Sequence, residues 1–217
     1  MKQTLTKPLN RIILSFIANH NGGCAIKKAL FLDRDGVINK NVKNLTKPGQ
    51  FEIMEGAPKA IKLINDSGYM AIIITNQPII AKGFCTLEDI DKIHDKMKKE
   101  LLIYGAHIDA IYICPHHPEK GFEGEVKELK IDCECRKPKP GFMLKAAKDY
   151  NIDLANSWVI GDSYLDIAAG QKAGVKTAFL TTGDIPESGH EEEFKEIKPN
   201  LVCKNLLEAV ETILNSC

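Results

Sequence analysis

The chain has 217 residues, enough for one sizeable α/β domain or at most two small ones. Hydrophobic residues make up 44% and charged residues 27%, and Lys+Arg and Asp+Glu number 29 each, so the formal net charge is zero. That balance argues against nucleic-acid binding by whole-surface charge, and no apolar run reaches the roughly 18–20 residues of a membrane span.

Lys2, Lys7 and Arg11 precede a short apolar run, Ile12–Ala18, and small residues follow at Asn21–Ala25. This has the outline of a weak signal peptide or lipoprotein site. Ser15 breaks the run, and Asn21 sits where a lipoprotein site wants an apolar residue. Residues 1–26 are therefore read as a non-exported helical extension or an upstream start, and 27–217 as one domain.

Ala29–Asp33 is a continuous apolar run ending in an acid, the pattern of a buried parallel strand. Asp33 and Asp35 lie two apart, so both carboxylates can face one side of an extended chain. Two close carboxylates repel unless a cation sits between them, and a hard ion such as Mg²⁺ prefers oxygen ligands. Lys47-Pro48-Gly49 marks a turn. Ala57–Ser67 has helical spacing and Gly68 stops it. Tyr69–Thr75 reads as a second buried strand. Thr75, Asn76 and Gln77 at its end supply a hydroxyl, amides and backbone N–H groups suited to phosphate oxygens. Thr86–Ala106 is a long helix capped by Thr86 with Asp89 in its first turn, and Ile108–Cys114 a third strand.

Pro115–Pro140 is irregular and carries a cluster, Cys114-Pro115-His116 followed by Cys133-Glu134-Cys135. Three thiols and an imidazole at these intervals suit tetrahedral Zn²⁺, and four protein ligands make the ion structural. His116 is preferred over His117 as the ligand. The other four of the seven cysteines, Cys24, Cys85, Cys203 and Cys217, have no assigned role, and an odd, uneven set argues against a disulfide scaffold. His20, His94, His107 and His190 are read as solitary, surface or locally satisfied residues. Arg136 and Lys137 stand in a proline-stiffened loop before the next helix, Phe142–Tyr150, where a planar fork and a point charge can hold phosphate. Trp158–Asp162 is a fourth strand ending in an acid; Leu165–Ala173, Lys176–Leu180, Leu201–Cys203 and Leu206–Leu214 complete the alternation. Asp166 opens the helix after the fourth strand, where it either backs the metal site or favours the helix N-terminus by charge. Glu191–Glu193 reads as a solvated face. Strands alternating with helices give a parallel sheet covered on both sides, with ligands outside the carboxyl ends of the strands.

Taken in order, an aspartate pair after strand one, a Ser/Thr after strand two, a Lys before a later helix and an acid after strand four resemble the haloacid dehalogenase (HAD) superfamily of phosphohydrolases. Asp33, Asp35, Thr75, Lys137 and Asp162 fill these slots, and the likeness spans about Lys27 to Thr182. Cys-Pro-His-His-Pro followed by Cys-x-Cys-Arg-Lys-Pro is similar to the branch of heptose bisphosphate phosphatases and histidinol-phosphate phosphatases. Sixteen residues separate His116 from Cys133, which favours the heptose side, whose gap is longer.

The resemblance implies a Rossmannoid three-layer α/β/α sandwich with a mainly parallel sheet, a zinc-bound loop over about 114–135 and no large cap domain. It implies Asp33 as nucleophile, Asp35 as general acid/base, and Thr75 and Lys137 as holders of the phosphoryl oxygens. Mg²⁺ would rest on Asp33, Asp162 and the Asp35 backbone carbonyl, and structural Zn²⁺ on Cys114, His116, Cys133 and Cys135. Arg136, Asn76, Gln77, Asn41, Asn44 and Ser163 are the expected substrate contacts. Three substrate-facing stretches depart from the branch: Pro78-Ile79 replaces Ser-Gly, Asn41–Asn44 replaces Asp-x-Gly-Tyr, and Ser163 replaces Lys or Arg. A cytoplasmic monomer acting on a small sugar phosphate is expected, with neither nucleic acid nor membrane as partner. The competing readings are a histidinol-phosphate phosphatase and a non-catalytic, zinc-ordered sugar-phosphate binder.

Overall fold

The computed structural model describes residues 25–181 and 197–216. All but Ala25 and Ile26 of the expected extension lies outside these residues, as do Cys24, Cys217, His20, His190 and Glu191–Glu193. Six parallel strands form one sheet: β1 (Ala29–Leu32), β2 (Met70–Asn76), β3 (Ala110–Cys114), β4 (Trp158–Gly161), β5 (Lys176–Leu180) and β6 (Leu201–Cys203). Their order is β3-β2-β1-β4-β5-β6. The helices are α1 (Ala57–Asp66), α2 (Pro78–Ala81), α3 (Leu87–Ile103), α4 (Gly141–Tyr150), α5 (Tyr164–Ala173) and α6 (Leu206–Asn215). The α/β sandwich inferred from the alternation is the fold observed. Among the described residues, no helix is long and apolar enough to cross a membrane.

Strand periodicity divides the core into two layers. Leu30 and Leu32 of β1 point to one face, where they join Ile61 and Ile64 of α1, Ile90, Ile93 and Met97 of α3, and Val210 and Ile213 of α6. Ala29 and Phe31 point to the other face and pack with Met143 and Ala146 of α4 and Ala169 and Ala173 of α5. Two residues per repeat on a strand against 3.6 on a helix make this division automatic.

The sheet also sets the place of the chemistry. β1 pairs with β2 on one side and β4 on the other, so the chain reverses its order of travel at β1. Asp33, Thr75 and Asp162 leave the carboxyl ends of these three neighbouring strands. Asp33 is anchored there by its backbone N–H, which donates to the Ile160 carbonyl at 3.0 Å. Thr75 and Asn76 pair in register with Ile113 and Cys114 of β3, which places the first thiol of the Cys/His cluster on the row beside Asn76.

Candidate active site

Three carboxylates and one ammonium occupy the crevice between β1 and β4. Lys137 Nζ lies 2.9 Å from Asp33 Oδ1 and 2.5 Å from Asp166 Oδ1, and donates to the Ile74 carbonyl at 2.9 Å. Burial works against the Lys137 charge, but Asp166 and Asp33 outweigh it and raise its pKa, so the group is a fixed cation. Oxygens of Asp33, Asp162 and Asp166 all lie within 4.8 Å of one another. Burial pushes the Asp162 pKa up to about 7, with Asp33 and Asp166 adding repulsion. Asp166 is pushed up to about 6, first by burial, with Lys137 opposing.

With all three carboxylates ionised, one ammonium would leave two negative charges unmatched. A divalent, oxygen-seeking ion such as Mg²⁺ fits that surplus and that donor set. The chain makes room for it with glycine. A Cβ on Gly36 would stand 1.8 Å from Asp162 Oδ2, and Gly36 has φ +80°, which side-chain-bearing residues rarely adopt. A Cβ on Gly161 would lie 2.3 Å from three atoms of the Asp166 side chain.

Asp35 points elsewhere. Its Oδ1 accepts from Arg34 Nε at 3.2 Å, Arg34 Nη2 at 2.9 Å and Asn39 Nδ2 at 2.9 Å. Its Oδ2 accepts from Arg34 Nη2 at 2.7 Å and Gln77 Nε2 at 2.8 Å. Burial raises its pKa, but the Arg34 charge and these hydrogen bonds outweigh burial and hold the carboxyl below its usual range. The carboxylates that cluster are thus Asp33, Asp162 and Asp166, and Asp35 retains only its backbone carbonyl for a cation. Asp166 backs the site and caps the helix at once: it pairs with Lys137, and its Oδ2 accepts from the Ser163 N–H at 3.2 Å.

Several expected substrate contacts have structural partners. Gln77 is buried and donates to Asp35 and, at 2.9 Å, to Thr75 Oγ1. Asn76 clasps the backbone of Lys137 from both sides, donating to its carbonyl and accepting from its N–H, each at 3.1 Å. Ser163 is the N-cap of α5, its Oγ accepting from Leu165 N–H at 3.1 Å. Arg136 Nη1 donates to the His116 carbonyl at 3.3 Å. Asn41 and Asn44 are exposed in the loop after β1.

The four cysteine and histidine residues converge. Cys133 Sγ lies 3.6 Å from Cys114 Sγ, and Cys135 Sγ lies 3.4 Å from Cys114 Sγ and 3.2 Å from Cys133 Sγ. His116 Nδ1 is 3.3 Å from Cys135 Sγ and 3.8 Å from Cys114 Sγ. A tetrahedron with Zn–S bonds of about 2.3 Å has edges of about 3.8 Å, so this spacing is close to that of a zinc shell. The Cys135 thiol donating to Cys114 pulls the Cys114 pKa down to about 5, while that bond and burial drive Cys135 up. Three sulfurs this close cannot all ionise without a cation among them. His117, the ligand not preferred, stacks edge-on against Phe122 instead.

Sequence reasoning left out Arg34 and Asn39, which hold Asp35, and read His94 as a surface or locally satisfied residue, of which the structure bears out the second. His94 Nε2 meets Arg34 Nη1 at 3.2 Å. The one available signal was a charged residue between two functional acids; nothing in the pattern marks its side chain as fully buried.

A family model described as HAD-hydrolase-like matches residues 134–209. The D-glycero-beta-D-manno-heptose-1,7-bisphosphate 7-phosphatase of Haemophilus ducreyi is 40% identical over 187 residues, covering 85% of this chain and 97% of that protein. The D-glycero-alpha-D-manno-heptose-1,7-bisphosphate 7-phosphatase of Photorhabdus laumondii is 43% identical over 161 residues, covering 74% of this chain and 86% of that one. Among solved structures, the D,D-heptose 1,7-bisphosphate phosphatase from B. bronchiseptica, complexed with magnesium and phosphate, aligns with a TM-score of 0.74 at 31% identity. That alignment covers 88% of this chain and 99% of that one. On these likenesses, the chain belongs to the HAD-like hydrolases, in the family of the heptose-1,7-bisphosphate 7-phosphatases.

Proposed function

We propose that the protein removes the 7-phosphate of D-glycero-D-manno-heptose 1,7-bisphosphate, through an aspartyl-phosphate intermediate. The observation that carries the reaction type is the meeting of Asp33, Asp162, Asp166 and Lys137 at one crevice, with Asp35 two residues beyond the nucleophile. The names of the relatives above support the substrate.

In this reading Asp33 attacks phosphorus in line, and its carboxylate oxygen gains the phosphoryl group as the ester oxygen leaves. Lys137 and Thr75 hold the phosphoryl oxygens, where charge spreads in the transition state. Asp35, which Arg34 and its other donors hold ionised in the free site, takes up a proton from solvent as the anionic phosphate ester enters, gives it to the leaving sugar oxygen, then takes one from the water that hydrolyses the intermediate and releases it when the site empties. Asp33, Asp162 and the Asp35 backbone carbonyl would hold Mg²⁺, which would supply charge neutralisation for the phosphoryl oxygens. Arg136 contacts the remainder of the substrate. Cys114, His116, Cys133 and Cys135 would hold Zn²⁺, which would fix the base of the loop that presents Arg136 and Lys137. The thiolate ligands call for a reducing compartment, which supports a cytoplasmic location for a monomer built from one domain over 27–217.

Histidinol phosphate is the weaker reading, because Arg136 would face a cationic substrate. Phosphate release from both anomers of the heptose bisphosphate and from histidinol phosphate, with Mg²⁺ and Asp33→Asn as control, tests the proposal. Release from a heptose ester that is lost in the variant is the expected result. Release from histidinol phosphate alone would overturn the substrate, and release from none would overturn the activity.

A further inference from the structure

Behind the general acid/base stands a second row of residues. Arg34 is fully buried, and its guanidinium supplies three of the five hydrogen bonds that fix the Asp35 carboxylate. Its remaining terminal nitrogen, Nη1, faces His94 Nε2 at 3.2 Å. His94 projects from α3 on the apolar face that also carries Ile90, Ile93 and Met97, and is itself buried.

Arginine has donors and no acceptor, so this contact requires a bare lone pair on Nε2 and a neutral ring. The surroundings enforce the same state: burial first, then the Arg34 and Lys98 charges, push the His94 pKa down to about 3. Each of the three nitrogens of the buried Arg34 fork thereby has an acceptor, Asp35 for Nε and Nη2 and His94 for Nη1. Remove the His94 acceptor and Nη1 is left buried and unpaired. The guanidinium must then turn to find a partner, and turning takes Nε and Nη2 off Asp35.

We propose that His94 is a positioning residue for the phosphatase reaction, acting through Arg34 to aim the Asp35 carboxyl at the leaving oxygen. The proposal rests on Asp35 being the general acid. A proton at the leaving oxygen matters for a poor alkoxide leaving group and little for a good aryl one. Misaimed Asp35 therefore lowers kcat/KM for an alkyl phosphate far more than for p-nitrophenyl phosphate. A general loss of structure lowers both alike.

The test compares kcat/KM on these two esters, with Mg²⁺, for the wild type, His94→Leu, His94→Gln and Asp35→Asn. Gln places an acceptor oxygen near the position of Nε2. His94→Leu should lose about 10- to 100-fold on the alkyl ester, against about twofold on the aryl ester, with KM little moved. His94→Gln should restore most of the alkyl-ester rate. If His94→Leu does not fold, His94→Asn takes its place, since its shorter amide cannot reach Nη1. An equal loss on both esters, no loss on either, or no rescue by Gln overturns the proposal. Asp35→Asn separates the two levels. If it shows the ester-selective loss and the His94 variants do not, only the positioning role falls. If it shows no selectivity, the acid role of Asp35 falls, and the positioning role with it.

Discussion

Half-buried Asp33 and buried Lys137 and Asp166 form a chain of alternating charge, and each link has a separate consequence. Asp33→Asn removes the proposed nucleophile and should reduce phosphate release by at least about a thousandfold, with the fold unchanged by circular dichroism. Gly36→Ala strikes the same site through the backbone. The new methyl group would collide with Asp162 at a φ that alanine resists. Mg²⁺ affinity by calorimetry should fall by at least about tenfold, although no charged group is altered. His94 makes a prediction about stability as well as rate. Its pKa is depressed from 6.5 to about 3 in the folded chain, so the unfolded chain binds the extra proton between those values. Stability tied to this residue is therefore fully present above pH 6.5 and drains away as pH falls toward 3, at about 1.4 kcal/mol for each unit of the gap. Urea unfolding between pH 7 and pH 4.5 should show a steeper loss for the wild type than for His94→Gln.

At the level of elements, α5 and the loop before α4 divide the work of holding Lys137. Asn76 fixes the loop's backbone, and Asp166, at the third position of α5, fixes the ammonium. Ser163 caps α5, so Ser163→Ala should cost about 1 kcal/mol of stability, and if capping is its whole role KM for the sugar phosphate stays unmoved. A raised KM would instead show Ser163 touching substrate. The strands were legible because Ala29–Leu32 and Trp158–Gly161 are unbroken apolar runs, and α1 and α3 because their apolar residues recur at three and four. The short α2 was not, since Pro78-Ile79-Ile80-Ala81 is too brief to carry a period. The site was legible where residue type and strand end coincide, as at Asp33, Thr75 and Asp162. It was not where a side chain's direction decides the matter. Gln77 and Asn76 are apt phosphate ligands by type, yet in space they face Asp35 and the Lys137 backbone. Arg34 follows a strand end in a tight turn, where alternation no longer says which side is buried.

Across the whole molecule, the reversal of strand order at β1 draws the crevice residues from three strands, β1, β2 and β4, and from the loop before α4. The core layers on either side of the sheet form separate clusters. The register of β2 on β3 adds a second consequence. Cys114 stands beside Asn76, and Asn76 holds Lys137, so the Cys/His cluster and the carboxylate cluster are joined through a single row of the sheet. A chelator used to prove dependence on the catalytic ion would therefore interrogate two sites with one reagent. After prolonged EDTA treatment, Mg²⁺ alone should return only part of the activity, and stoichiometric Zn²⁺ followed by Mg²⁺ the rest. Brief chelation, too short to strip thiolate ligands, should be fully reversible by Mg²⁺. On the proposed reading with zinc at the Cys/His cluster, recovery curves that report one metal are a matter of timing, and the clock tells the two ions apart.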